Sequence, residues 1–381
     1  MTDISPQVAV ACSGLGHVHR GIESWALDVA TGLRRSCVAV TLFGGRAAPS
    51  VEPLGCLPRA GPAAIRLAQS FRHLGGWRYG MGSAYEIEQA SFAWNLWRRI
   101  RSTHDILHVQ DPLVAMLLEA AHRSGLSRAR VLYANGTGEP AAVMRRFANL
   151  QLLTPQAAAD WEPQRPATQK RFMVPNFVDT DRFVPGDRAA ARAGLGLPPE
   201  ATILLCCAAI RRVHKRVDWL VQAFAAARRP GDGTMLVVAG GREPDSDTII
   251  AEGRALLGDA VRFMVDVPRQ DLLTLYQAAD VFVLPSLSEM FGIVLVEALA
   301  CGLPVLCHDT PDFRYVVGPA GLYRDLSQCG SFAAALAEML TDRRYATLAG
   351  AARPHAVSQF SEPVVIRQII EMYRGTMQGA A

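Results

Sequence analysis

The chain has 381 residues, half of them apolar and about a fifth charged, which describes a globular protein too long for one hydrophobic core. Its formal charge of +4, with Lys and Arg dispersed instead of gathered in a stripe or tail, excludes a phosphate-tracking nucleic-acid binder, so no nucleic acid is expected as a partner. Eight cysteines at scattered spacings, several inside apolar runs such as ILLCCAAI and LPVLCHD, exclude a disulfide scaffold and read as buried thiols in a reducing compartment. The first residues lack a basic n-region, and no apolar run reaches the ~18 residues of a membrane span, so a cytoplasmic protein is expected.

Short β-branched runs alternate with amphipathic helical stretches from end to end, the pattern of parallel sheets wrapped by helices. Strands are expected at 8–12, 37–43, 106–109, 131–134, 150–154 and 172–174 in the first half. After the first of these, CSGLGHVHRGIESWALDVATGL is a glycine loop opening a helix, where backbone can approach a phosphate or an acceptor. His19 stands where the third glycine of G-x-G-x-x-G would be, so dinucleotide binding is not supported. Residues 58–101, with Trp77, Trp94 and Trp97 among several Arg, read as an amphipathic crossover helix. The alternative for this segment is an acceptor-site or membrane-surface element, which would place the protein peripherally at the inner face of a membrane.

The stretch PNFVDTDRFVPGDRAAARAGLGLPPEAT, rich in Pro, Gly and charge, reads as an interdomain linker with a boundary near residue 185. Domains are therefore expected at 1–184 and 185–357, followed by the amphipathic segment 358–381. Strands of the second half are expected at 202–207, 235–239, 261–265, 281–284 and 305–307. The fold class is α/β, two doubly wound Rossmann-like domains separated by a cleft, with ligands at the carboxyl ends of the strands.

The segment SEMFGIVLVEALACGLPV sets Glu289 and Glu297 in an otherwise apolar stretch, and an ionised Glu is almost never left unpaired in a core. A helix is expected from Ile293 through Cys301, stopped by Gly302 and Pro304. Its N-terminus is an anion site, with the amides of Phe291, Gly292 and Ile293 available to phosphates, and Gly292 admits close backbone approach. Were all eight steps helical, the two carboxylates would stand ~12 Å apart along the axis, enough to bracket a diphosphate and accept from a sugar hydroxyl and a ribose.

The string EMFGIVLVEALACGLP resembles the signature of the retaining GT-B glycosyltransferases of family 4, the glycosyl transferases group 1. VPNFVDTDRFVP, LLTLYQAADVFVLPS and DILHVQDP are similar to other segments of that family, so the resemblance covers almost the whole chain. It implies transfer of a sugar, with retention and without a metal, from a nucleoside diphosphate sugar to a glycan, lipid-linked or small-molecule hydroxyl acceptor. No cofactor is implied. In this reading Glu289 is catalytic, Met290, Phe291, Gly292, Ile293 and Glu297 bind substrate, and the closing segment 358–381 packs back on the first domain.

A departing diphosphate gathers negative charge and needs fixed cations. The segment CAAIRRVHKRVDWLVQAF is similar to the family's Arg and Lys pair, with Lys215 as the lysine, Arg212 as the arginine and Arg211 as its fallback. RGIESWALDVA is similar to the family's G-G-x-E opening, with Arg20 in place of the first Gly, and Gly16, Arg20 and Gly21 are taken as acceptor-side contacts. VLYANG puts Asn135 where the family often has His, and Asn cannot act as a general base. The resemblance then leaves the departing phosphate to take the acceptor proton, with His17, His19 and His108 as other groups that could approach. Two D-x-D strings, Asp179 to Asp181 and Asp245 to Asp247, are assigned to a linker and a turn, and no metal is expected. The rival readings are a nucleotide-sugar epimerase of the same fold and a non-catalytic nucleotide-sugar or glycan binder.

Overall fold

The computed structural model describes residues 6–18, 21–73, 82–229, 231–328 and 330–378; Arg20, His19, Trp77 and Cys329 lie outside them. Contacts divide the chain into one compact unit of 1–175 with 365–381, and a second of 176–364.

The first unit runs β1 (Val8–Cys12), α1 (Gly21–Arg35), β2 (Val40–Gly44), β3 (Glu52–Pro53), α2 (Pro62–His73), α3 (Ala84–Ile100) and β4 (Ile106–Val109). It continues with α4 (Pro112–Arg123), β5 (Arg130–Ala134), α5 (Ala141–Met144), β6 (Asn149–Leu152), α6 (Pro155–Trp161) and β7 (Lys170–Met173). All seven strands are parallel, in the order β3-β2-β1-β4-β5-β6-β7, and Val8 pairs with Val40 on one side and Ile106 on the other. Strands β1 and β4 are buried throughout, as befits central strands of a sheet covered on both faces.

Where a crossover helix is expected over 58–101, the described residues form two helices, α2 and α3. Ser83 starts α3 with a capping box closed by Glu86, and the helix buries Ile87, Phe92, Leu96 and Ile100. Trp94 stays exposed, while the Trp97 indole donates to the Leu126 carbonyl and Arg101 lies over its ring.

The second unit contains α7 (Arg188–Leu195), β8 (Thr202–Cys207), α8 (Val217–Ala227), β9 (Thr234–Gly240), α9 (Ser246–Leu257), β10 (Val261–Val265), α10 (Leu272–Ala278) and β11 (Val281–Leu284). Then come α11 (Ile293–Ala300), β12 (Val305–His308), α12 (Pro311–Val317), β13 (Gly321–Arg324), α13 (Ser331–Met339) and α14 (Asp342–Phe360), with α15 (Glu362–Met377) passing from Val365 into the first unit. Its six parallel strands are ordered β10-β9-β8-β11-β12-β13 around a core that includes Leu204, Phe224, Val238 and Val283. In both sheets the winding reverses once, between β1 and β4 and between β8 and β11. Ligands of doubly wound sheets collect at that reversal.

The expected linker is not a free tether. Phe177, Val178 and Phe183 are buried, and the Arg353 guanidinium binds the carbonyls of Thr180, Phe183 and Ala300. One side chain thus satisfies backbone oxygens that would otherwise be stranded by burial. The segment consequently groups with the second unit, and the division falls after Pro175, ahead of the expected residue 185. The stretch also holds α7, capped by Asp187 and Gly196. At the other end, Phe360 remains with the second unit, where the Val178 amide donates to its carbonyl. Within the first unit, Tyr373 of α15 bonds the buried His108, and Lys170 donates to the carbonyl of Gly375. The edge strands β3 and β13 carry no apolar run in sequence, β3 being two residues long and β13 reading GLYR.

Candidate functional site

In the second unit, the loops after β8 and β11 meet at the winding reversal. Gly292 caps α11 at φ 78°, and a Cβ there would stand 2.9 Å from Leu295 Cδ1. Glycine is needed on both counts, as a left-handed conformation and a crowded position each penalise a side chain. The amides of Phe291, Gly292 and Ile293 find no backbone acceptor among the described residues, as befits the opening of a helix. The Phe291 ring itself is buried edge-on against Phe360, so only its backbone can serve a ligand. Met290 and Ile293 are half-buried beside it.

Glu289 stands outside α11, so the ~12 Å helical spacing from Glu297 does not apply. Its Oε1 accepts from Lys215 Nζ at 2.5 Å, across 74 residues of sequence, and both side chains are largely shielded from solvent. The loop that delivers Lys215 is unusual in its backbone. His214 and Arg216, on either side of it, have φ of 71° and 49°, a left-handed region that costs non-glycine residues free energy and clusters at functional sites. Arg216 is held there by carbonyls: its Nη1 donates to Pro285 and Leu326 at 3.1 and 3.0 Å, and its guanidinium covers the Trp219 ring.

The two arginines part company. Arg212, the expected partner of Lys215, is directed to Asp218 at 3.1 Å and Glu252 at 2.7 Å, away from Glu289. Arg211, the fallback, is the one gathered with the lysine. Its guanidinium donates to His214 Nδ1 at 3.3 Å, and His214 Nε2 lies 3.9 Å from Glu289 Oε2. No carboxylate pairs with Arg211 among the described residues, and its Nε is buried without an acceptor. A buried donor left unbonded is costly, and an anionic ligand would satisfy it.

Glu297 is buried in the next turn of α11, where Oε2 accepts from the Tyr276 hydroxyl at 2.7 Å. Tyr276 is fully buried on α10, and its hydroxyl is pushed far above the ordinary range by burial first, then by the Cys207 and Glu297 side chains. His214, Arg216 and Tyr276 went unassigned in the sequence. The first two betray themselves only by backbone angle, and Tyr276 by lying on the buried face of a helix that ends at β11.

In the first unit, the corresponding reversal is filled by a polar network. Asp111 accepts from the Ser13 amide at 2.6 Å and the Tyr85 hydroxyl at 2.9 Å, and burial raises its carboxyl above the usual range. Glu88 accepts from Arg59 Nη2 at 2.6 Å, Arg59 Nε at 2.9 Å and Ser13 Oγ at 3.2 Å, and contacts His17 Nε2 at 2.9 Å. Burial works to raise the Glu88 carboxyl, but the bonds from Arg59 and His17 outweigh it and the net displacement is downward. These partners lie tens of residues apart, which hid the network from the sequence reading.

Donor atoms of His17, Cys56 and Glu88 fall within 4.8 Å of one another, a spacing that could hold a cation. Arg59 already neutralises Glu88, and burial with the Glu88 charge pushes the Cys56 thiol up to about 11. A metal would have to displace one cation and deprotonate a reluctant thiol.

The remaining first-unit candidates are placed as follows. Gly16 has φ 93° and a Cβ there would meet the Arg46 carbonyl at 2.5 Å, so that glycine permits a backbone crossing. Gly21 opens α1 with free space around it. Asn135 is buried; its amide contacts Met144 Sδ, and its oxygen accepts from the Glu139 amide, which closes the loop after β5. His108 is core, bonded to Tyr373 and Gln151, with burial lowering it to about 4. Of the D-x-D strings, Asp179 accepts from the Asp181 and Arg182 amides, and Asp245 from the Arg212 amide.

Residues 187–353 match the family model described as glycosyl transferases group 1, a span that takes in Arg211, Lys215, Glu289 and Glu297. That match covers less than half of the chain. The D-inositol 3-phosphate glycosyltransferase of Mycolicibacterium smegmatis is 36% identical over 208 residues, covering 52% of this chain and 46% of that protein. The chain thus spans about half the length of the curated relatives it matches. Among solved structures, sucrose-phosphate synthase from Thermosynechococcus elongatus aligns with a TM-score of 0.77 at 20% identity, covering 97% of this chain and 98% of that one. Anabaena Alr3699/HepE, solved with UDP and glucose, aligns at 0.73 and 15% identity, covering 97% of this chain and all of that one. The fold is GT-B, with the matched segment inside the second unit. Among the described residues no helix is long and apolar enough to cross a membrane.

Proposed function

We propose that the protein is a glycosyltransferase that moves a sugar from a nucleoside diphosphate sugar to a hydroxyl acceptor, with the donor held by the second unit. The observation that carries this reading is the gathering of Arg211, Lys215 and Glu289 beside the unbonded amides that open α11. Two fixed cations and a helix N-terminus are suited to the charge that grows on a departing diphosphate. Glu289, held by Lys215, accepts from a sugar hydroxyl in this reading, and Glu297, bonded by Tyr276, from the ribose. The family model and the solved relative that holds UDP and glucose support the same assignment.

The acceptor is assigned to the first unit. Relatives named for D-inositol 3-phosphate make a polyhydroxyl compound the class to test first. With the Asn135 amide engaged in its own loop, no general base is assigned there, and the departing phosphate takes the acceptor proton on the face it leaves. This implies retention of configuration, and Arg211 and Lys215 do the work a metal would do.

A thermal-shift series with UDP, GDP, ADP and TDP identifies the base, as each ligand stabilises by its own mass-action term. The matching nucleotide sugar is then followed by NMR with and without a polyol acceptor. Consumption only with acceptor, giving product of unchanged anomeric configuration, supports the proposal. Conversion of donor alone would instead mark an epimerase, and binding without turnover a carrier.

A further inference from the structure

The loop between β8 and α8 carries a histidine that the donor reading leaves without a task. His214 has a side chain 39% exposed, and its two ring nitrogens face opposite charges. Nδ1 lies 3.3 Å from an Arg211 guanidinium nitrogen, which can only donate, so Nδ1 is an acceptor and carries no proton. Nε2 faces Glu289 Oε2 at 3.9 Å. With Nδ1 accepting, the ring is neutral. Burial, then Lys215 and Arg211, lower its basicity; Glu289 and the Ser288 backbone oppose them, and the net displacement is downward.

Burial remains, but the influences of Lys215 and Arg211 are both changed by an arriving diphosphate. Its oxygens satisfy the unbonded Nε of Arg211, drawing the guanidinium hydrogen bond away from His214 Nδ1. They also offset the positive charge of Arg211 and Lys215 at the ring. The vacated Nδ1 then gains a proton from solvent and donates it toward a phosphate oxygen, while Nε2 stays on the side of Glu289.

We propose that His214 is a third cation of the donor site, one that takes up a proton as a nucleotide-sugar diphosphate binds. The inference rests on the donor-site assignment made above. Proton uptake on binding means that affinity falls as pH rises through the free ring's pKa toward the pKa it has in the complex. The groups that face the ring from the two loops packed against it are Arg211, Lys215, Glu289 and the Ser288 backbone.

The test is isothermal titration of the full chain with UDP-glucose, ADP-glucose and GDP-mannose. A sugar-esterified diphosphate has no proton that titrates near neutrality, so any uptake belongs to the protein. Titrations at pH ~6.5, the region of an ordinary histidine, are run in MES and in bis-Tris, whose ionisation enthalpies differ, and repeated at pH ~8.5. The wild type should take up a large fraction of one proton at the lower pH and almost none at the higher. His214→Asn, chosen because Asn tolerates the left-handed backbone, should abolish the uptake and make affinity independent of pH. Val213→Ala, at an 81% exposed position of the same loop, should retain the uptake and so report on loop integrity. Binding without uptake, or equal uptake in His214→Asn, overturns the role of His214 and leaves the donor site standing. Failure of all three nucleotide sugars to bind the wild type overturns the donor site and this inference together.

Discussion

Replacing Tyr276 by Phe removes one oxygen from the interior of the second unit and nothing else. That oxygen donates to Glu297 Oε2 at 2.7 Å, with Tyr276 fully buried and Glu297 only 5% exposed. A hydrogen bond to a charged acceptor contributes ~1.5–3 kcal/mol, and the Phe variant loses this one. A loss of ~2 kcal/mol is expected. For a unit of this size each kcal/mol lowers the midpoint by ~2–4 °C, so the thermal transition of the second unit should fall by ~4–8 °C. Differential scanning calorimetry of the full chain, which separates transitions that optical melting merges, is the assay. The paired variants Glu297→Gln and Tyr276→Phe/Glu297→Gln complete a double-mutant cycle, whose coupling should exceed ~0.5 kcal/mol for groups in direct contact. The single variant should also bind nucleotide more weakly, because Glu297 loses its fixed orientation. A midpoint within ~1 °C of wild type, together with additive cycle energies, would refute the reasoning that Tyr276 holds Glu297 in place.

Arg211→Ala should weaken nucleotide binding at least tenfold and Arg212→Ala should leave it within about twofold, since only the former leaves a buried donor for phosphate; titration calorimetry of both variants decides the matter. Gly292→Ala should destabilise the second unit by ~1–2 kcal/mol through its left-handed φ, with an added contact against Leu295, and calorimetry showing under ~0.5 kcal/mol would contradict this. In the first unit, the depressed Glu88 carboxyl contributes stability that is complete above its unfolded pKa of ~4.3 and is lost as pH falls through the lower folded value. Denaturant melts from pH 7 down to pH 3 should therefore show an acid-side loss in the first unit that Glu88→Gln diminishes.

Much of the framework could be read from local pattern. Runs such as Val8–Cys12 and Thr202–Cys207 are β-branched or apolar without interruption, and strands buried on both faces need nothing else. The glutamate segment was equally plain, because Gly292 before α11 and Gly302 after it mark the helix ends by chemistry. What stayed hidden depended on contacts distant in sequence or on the direction of single side chains. Arg211 and Arg212 are adjacent and chemically identical, and their separation is decided by a turn in which His214 and Arg216 adopt left-handed angles without any glycine to announce them. The Lys215 to Glu289 bond joins two loops, and the Glu88 network joins residues of α3 to the loops before α1 and α2. Phe177 and Phe183 looked like parts of a tether because Pro, Gly and charge surround them. Their burial follows from Arg353 reaching back from α14, which no local pattern records.

The most direct test of the donor-site account compares wild type with Glu289→Gln in two quantities, the dissociation constant of the cognate nucleotide and the single-turnover rate of sugar transfer. The neutral amide retains the shape of the side chain while surrendering the charge that orients the sugar and pairs with Lys215. Transfer should slow by at least a hundredfold while nucleotide affinity changes less than about fivefold. Equal losses in both quantities, or an unimpaired rate, would contradict the placement of the reacting sugar at Glu289.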